Sequence, residues 1–265
     1  ILVGDQNQLP AYADTEISPT LAKLTKNPDY RLFDILYNSL PDTHKQILTT
    51  QYRMIENIGN LISKVFYGGI IDTGCNNDEK RHGLNRYVGK SIVWFDTSAN
   101  QKKSQKRTKG GSYINEEEKR IILEILDDLK KTGELKGLDI GIITGYSGQK
   151  ELLRKSIKAT ELDKIASKID INTLDAFQGR ENDIIIYSTV RTRDSIGFQK
   201  EKERVNVAFS RAKKLLIVCG DKNFFYNFDD QDNKFVEIID YISEGEECEI
   251  IQCDGGKLFE RESNS

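Results

Sequence analysis

Thr173-Leu174-Asp175-Ala176-Phe177-Gln178-Gly179-Arg180-Glu181-Asn182-Asp183 runs straight into Ile184-Ile185-Ile186-Tyr187. A polar cluster holding one glycine, followed by an unbroken apolar β-branched run, reads as a turn feeding a strand covered on both faces. Gly179 allows a close approach of the backbone. Taken as structure alone, Asp175, Gln178 and Glu181 would close the loop by hydrogen-bonding their own backbone. Working outward, similar short apolar runs predict strands at 91–95, 139–144, 170–173, 183–189 and 215–219. Helical periodicity predicts helices at 55–65, 116–131 and 149–159. Asn115 stands at the N-cap of the 116–131 helix with Glu118 at the capping-box position, and Gly133 stops it. Strands alternating with helices imply an α/β fold with a parallel sheet flanked by helices.

The chain has 265 residues, 37% of them hydrophobic, and a formal net charge of -3. That supports one or two ordinary cores. Any nucleic-acid contact must therefore come from a local patch rather than the field of the whole protein. The most basic stretch, Lys102-Lys103-Ser104-Gln105-Lys106-Arg107-Thr108-Lys109-Gly110-Gly111, reads either as a solvated surface loop or as a phosphate-contacting one. No apolar run approaches the roughly 20 residues of a membrane span, and Ile1-Leu2-Val3 does not open a signal peptide, so no membrane association and a cytoplasmic location are expected. Cys75, Cys219, Cys248 and Cys253 form no C-x-x-C pair and read as reduced thiols. Isolated His44 and His82 add no metal-ligand pattern, so no metal site is expected within the chain.

A phosphate-binding loop needs G-x-x-x-x-G-K-[ST] between a strand and a helix. Gly89-Lys90-Ser91 follows Gly83 with five intervening residues instead of four and opens a strand, so it reads as a turn. Three other segments stand out. Gly4-Asp5-Gln6-Asn7-Gln8-Leu9-Pro10 follows the apolar Ile1-Leu2-Val3, which reads as a short buried strand. Gln51-Tyr52-Arg53-Met54 reads as a helix start with Tyr52 and Met54 inward. Arg204-Val205-Asn206-Val207-Ala208-Phe209-Ser210-Arg211-Ala212 reads as an amphipathic helix. Thr144-Gly145-Tyr146-Ser147-Gly148-Gln149 ends a parallel strand, where open α/β sheets bind ligands. Tyr146 there is either packed in the turn or presented to a base.

Together, in this order and at these spacings, the four segments resemble the later motifs of superfamily 1 helicases, in the branch containing the nonsense-mediated-decay helicase and senataxin. The resemblance covers roughly residues 1–221 and is strengthened by Phe66-Tyr67-Gly68-Gly69 and Val190-Arg191. It implies a RecA-like second motor domain over 42–222, of the P-loop NTPase type but without its own phosphate loop. Residues 1–41 would be a remnant of the first motor domain with a linker, helical at 30–40. Residues 223–265 would be a C-terminal extension holding a helix and an edge strand at 248–251.

By the same resemblance, the intact enzyme is an ATP-dependent helicase translocating on single-stranded DNA or RNA. Gln8 would sense the terminal phosphate or the attacking water, and Arg53 and Arg211 would be arginine fingers, Arg211 positioned by Asn206 and Ser210. Gly179 and Glu181 would lie at the nucleotide, while Thr144, Tyr146, Thr173, Gln178 and Arg191 would face nucleic acid. ATP would bring Mg2+, held by ligands of the first motor domain upstream, so this chain alone should be inactive. The alternative is a non-catalytic nucleic-acid-binding or regulatory module that kept the motor fold.

Overall fold

The apolar run after the 173–183 block alternates its side chains between two separate cores. Ile184 and Ile186 enter one, and Ile185 and Tyr187 the other. This is why no polar face interrupts the strand. In the computed structural model, which describes residues 1, 3–9, 32–102, 105–134, 137–162, 168–177 and 179–259, that strand is β8 (Asn182–Ser188) of a six-stranded sheet. The others are β3 (Ile92–Asp96), β6 (Asp139–Thr144), β7 (Lys168–Thr173), β9 (Ala212–Gly220) and β10 (Cys248–Gln252). They lie in the order β10-β3-β9-β8-β6-β7, every pair parallel.

Helices cover both faces. Trp94, Ile185, Tyr187, Leu216 and Val218 pack with α2 (Glu56–Tyr67), α5 (Lys202–Phe209) and α7 (Phe235–Glu244). Val93, Phe95, Ile184, Ile186, Leu215 and Ile217 pack with α3 (Glu116–Lys131) and α4 (Ser147–Ala159). Smaller elements are α1 (Leu32–Ser39), the parallel pair β1 (Thr50–Gln51) and β2 (Asp72–Thr73), the hairpin β4 (Lys106–Arg107) and β5 (Tyr113–Ile114), and α6 (Lys222–Tyr226).

The expected bounds of α3 and β6 are found. Asn115 caps α3 through Oδ1, which accepts from the backbone N–H of Glu117 and Glu118 at 3.1 Å each. Gly133 follows with φ +76°. Glu118 does not return to the cap N–H as a capping box would. Its carboxylate turns into the protein and accepts from Ser188, Thr189 and Val190, while the Asn115 N–H is taken by Gln149 Oε1 at 2.8 Å.

Several expectations are corrected. Residues 1 and 3–5 form no strand, and Ile1 and Val3 are exposed, because no strand among the described residues pairs with them. Gln51-Tyr52-Arg53-Met54 is not a helix start: Gln51 ends β1 and α2 begins at Glu56. The Gln51 side chain holds the bend instead, accepting from the Arg53 and Met54 N–H at 2.9 and 2.8 Å and donating to Met54 O and Thr73 Oγ1. Met54 is buried as expected, but Tyr52 points outward at 67% exposure. In residues 223–252 the expected helix and edge strand are α7 and β10, with β10 at the edge of the main sheet beside β3 and Phe235 of α7 packed on Trp94. Gly89, at φ +72°, is the expected turn.

Among the described residues no helix is long and apolar enough to cross a membrane, and no group of three metal-ligating side chains converges. The four cysteines are free.

Candidate functional site

Two of the singled-out side chains immediately precede strands. Glu181 precedes β8 and Arg211 precedes β9, so the parallel pairing of these neighbouring strands brings both to one edge, at the amino ends. Arg53 reaches the same edge because the Ile55 N–H bonds Lys213 O at 2.8 Å, tying the bend after β1 to the start of β9. The Arg53 Nε then donates to Glu181 Oε2 at 2.6 Å and its Nη1 to Ser210 O at 3.3 Å. The Arg53 guanidinium holds the Glu181 carboxyl below the usual carboxylate range.

Arg211 is only 3% exposed. Its Nε donates to Val207 O at 2.9 Å, its Nη1 to Arg180 O at 3.4 Å, and its Nη2 to Ser210 Oγ at 3.3 Å and Gln8 Oε1 at 3.5 Å. All four acceptors are neutral. Burial, and then the neighbouring Arg53 charge, hold its pKa down to about 10, so the guanidinium still carries its charge near neutrality.

Gln8 is set by Asp5, whose Oδ2 accepts from Gln8 Nε2 at 2.8 Å and from the Tyr67 hydroxyl at 2.5 Å. Asn206 Nδ2 in turn donates to the Tyr67 hydroxyl at 2.9 Å and to Asn7 O at 2.6 Å. Ser210 therefore touches Arg211 as expected, whereas Asn206 fixes the 5–9 loop instead. Sequence reasoning does not mark Tyr67 as a site residue, because its partner Asp5 lies 62 residues away. Its one signal is its place in Phe66-Tyr67-Gly68-Gly69. Burial and Asp5 push its pKa up to about 12, so the phenol stays protonated and donates to the carboxylate. Replacing Tyr67 by phenylalanine is expected to speed amide exchange in residues 5–9 by about tenfold or more, the loss of one hydrogen bond to a charged group. Exchange in β8 and β9 should be unchanged. Hydrogen-exchange mass spectrometry reads both.

The 173–183 block crosses from one edge of the sheet to the other. Thr173 ends β7 in register with Thr144, Gly179 adopts φ +80° and is exposed, and Gln178 lies outside the described residues. Arg204 joins the block to α5, its Nη1 donating to both Asp175 carboxylate oxygens at 2.9 and 3.1 Å.

At the opposite, carboxyl edge, Thr144 is fully buried and Tyr146 is 5% exposed. The Tyr146 ring is lodged between Tyr113 and Phe198, with centroids 5.6 and 5.7 Å away. Of the two readings of Tyr146, the packed one describes it, and neither Thr144 nor Tyr146 presents a face to a strand here. The exposed aromatic of this edge is Phe198, at 49%, which no sequence pattern marked. Arg191 is 5% exposed, with its guanidinium carbon 4.2 Å from the Tyr113 ring centroid.

A family model described as "AAA domain" matches residues 29–223. An uncharacterized ATP-dependent helicase of Methanocaldococcus jannaschii is 32% identical over 93% of this chain and 35% of its own length. The helicase SEN1 of Saccharomyces cerevisiae is 35% identical over 83% of this chain and 10% of its own. A regulator of nonsense transcripts 1 homolog of Neurospora crassa is 30% identical over 83% and 20%. The chain thus spans about a third or less of each of these relatives.

Proposed function

The chain belongs to the AAA domain family, with the sequence of a superfamily 1 helicase C-terminal domain, and on that premise we propose that it is the second motor domain of an ATP-dependent DNA or RNA helicase. The observation that carries this reading is Arg211, a buried guanidinium met only by neutral acceptors, beside Arg53 and Gln8 from chain segments far apart in sequence. Two adjacent cationic groups held without a carboxylate on one of them suit a polyphosphate.

In this reading ATP supplies the phosphoryl group that is transferred to water. Arg53 and Arg211 bind the phosphate oxygens, and Gln8 orients at the same point from the first-domain side. Glu181 aligns Arg53 until the nucleotide competes for it, and Gly179 lets the backbone approach. Mg2+ brought by ATP would be held by ligands of the upstream motor domain. Single-stranded nucleic acid lies along the carboxyl edge, near Thr173 and Arg191, with buried Thr144 and Tyr146 shaping that edge from beneath and Phe198 as an exposed ring for stacking. Gln178, outside the described residues, belongs to the same proposal through the resemblance alone. A cytoplasmic site of action belongs to the same proposal.

The test is nucleic-acid-stimulated ATPase, measured for this chain alone and for the polypeptide that also carries the upstream coding sequence with its phosphate-binding loop. Activity confined to the longer form is expected. Substantial hydrolysis by this chain alone, abolished by Arg211→Ala, would overturn the division of labour. Inactivity of both forms would favour a nucleic-acid-binding or regulatory module.

A further inference from the structure

We propose that the β4–β5 hairpin, residues 105–114, together with Lys102, forms a second phosphate-gripping element for single-stranded nucleic acid, resting on the helicase reading above but separate from its motif residues. The basic stretch is not a loose solvated loop in its described part. Gln105 is 2% exposed and exchanges two bonds with Thr192, its N–H donating to Thr192 Oγ1 at 3.2 Å and its Oε1 accepting from the Thr192 N–H at 3.0 Å. The turn is closed by Thr108 N–H to Ser112 O at 2.8 Å and Gly111 N–H to Thr108 O at 3.0 Å. Ser112 Oγ accepts from the Gly148 N–H in the first turn of α4 at 3.0 Å, and Tyr113 carries Arg191 on its ring. A hairpin fixed at both strands and at its turn stands against the carboxyl edge of the sheet.

It holds its charge outward and unneutralised. Lys102, Lys106, Arg107 and Lys109 are exposed, and none of them forms an ion pair with a carboxylate among the described residues. Several cations on the neighbouring α3 and its surroundings are paired, as in Arg86–Asp128, Lys119–Glu116 and Arg120–Glu117. In a chain with three more acids than bases, leaving Lys106, Arg107 and Lys109 unpaired on one anchored hairpin costs mutual repulsion, which a polyanion relieves. The partner's chemistry follows from what the hairpin lacks. Among the described residues of the hairpin, 105–114, there is no exposed large hydrophobic side chain, so the hairpin itself offers no apolar centre for a protein interface of ordinary composition. A phosphate backbone needs none. Continuity with Arg191 and Thr192 extends the track of the strand from the sheet edge onto the hairpin.

The experiment replaces Lys102, Lys106, Arg107 and Lys109 together by glutamine and follows a fluorescent 20-nucleotide oligo(dT) and an oligo(U) of the same length by anisotropy, from 50 to 200 mM KCl. Unchanged thermal melting confirms that the variant folds. The expected result is binding weakened by at least about tenfold at 50 mM, with a plot of log K against log salt shallower by about 0.7 for each phosphate no longer neutralised, about 3 in all. A folded variant with the wild-type slope would overturn the hairpin's role and leave the helicase reading intact. Wild-type protein with no salt-dependent binding to either oligonucleotide would overturn both. Displacement of the oligonucleotides by poly-glutamate at equal charge concentration would point to an acidic protein partner and overturn the nucleic-acid assignment.

Discussion

Arg211→Ala is expected to lower the nucleic-acid-stimulated ATPase of the longer polypeptide by about 10³–10⁵-fold, the range over which an arginine finger acts in related phosphoryl transfer. The magnitude rests on where the guanidinium stands. At 3% exposure it has been desolvated during folding, and its hydrogen bonds to Val207 O, Arg180 O, Ser210 Oγ and Gln8 Oε1 fix it without neutralising it. A charge held rigidly in a weakly screened place acts on developing phosphoryl charge far more strongly than one recruited from water. Arg211→Lys should recover little, because one ammonium cannot hold the four acceptors and a phosphate together. Arg53→Ala should lose less, since Arg53 is half-exposed and partly neutralised by Glu181. Steady-state kinetics separate the cases: a fall in kcat with little change in KM for ATP marks an interaction made in the transition state. A kcat within tenfold of wild type, in a variant with native melting, would remove Arg211 from the chemistry.

The parts of the fold that were legible in the sequence are those decided locally. The Ile184–Tyr187 run declared a strand covered on both faces because each successive side chain serves a different core. Asn115 and Gly133 punctuated α3 through a side chain and a backbone angle that need no distant partner. Reading fails where a polar side chain chooses between a near and a far partner. Glu118 has a capping-box partner three residues away and binds residues 70 to 72 positions on instead. Gln51 turns the chain where a helix start was expected, because Thr73, 22 residues later, completes its bonding. β10 was legible as an edge strand, but not that it docks on β3, which is a pairing across more than 150 residues. For the candidate site, the motif order marked Arg53, Glu181, Arg211 and Gln8, whose proximity is now geometric fact. Tyr67, which seats the 5–9 loop, depends on a meeting of three segments that no local pattern encodes.

Glu118→Ala is expected to destabilise the domain by about 3–5 kcal/mol, combining orphaned buried donors with a cavity. The carboxylate is fully buried. Its Oε2 accepts from Ser188 Oγ at 2.6 Å, its Oε1 from Thr189 Oγ1 at 3.1 Å and Asn115 Nδ2 at 3.2 Å, and both oxygens from the Val190 N–H at 2.8 and 2.9 Å. Val190 is held at φ +68°, a conformation a β-branched residue tolerates only when its surroundings impose it, at a cost of about 1–3 kcal/mol. Glu118 helps to hold it through the Val190 N–H, together with the Arg191 N–H bond to Thr189 O at 2.8 Å, and the next residue, Arg191, lies over the Tyr113 ring. Burial pushes the Glu118 carboxyl up to about 8 from an ordinary value of 4.5, against the opposing pull of the Ser188, Val190 and Thr189 donors. A folded pKa above the unfolded one means the folded state binds the extra proton in between. The stability this contributes is fully present below pH 4.5 and is lost as pH rises through about 8. The melting temperature should therefore fall from pH 5 to pH 8, and Glu118→Gln, which cannot ionise, should flatten that dependence whatever it does to the absolute value. A wild-type curve that is flat over this range would mean that the donors around Glu118 already hold it as an anion, and that its clamp on Val190 does not weaken with pH.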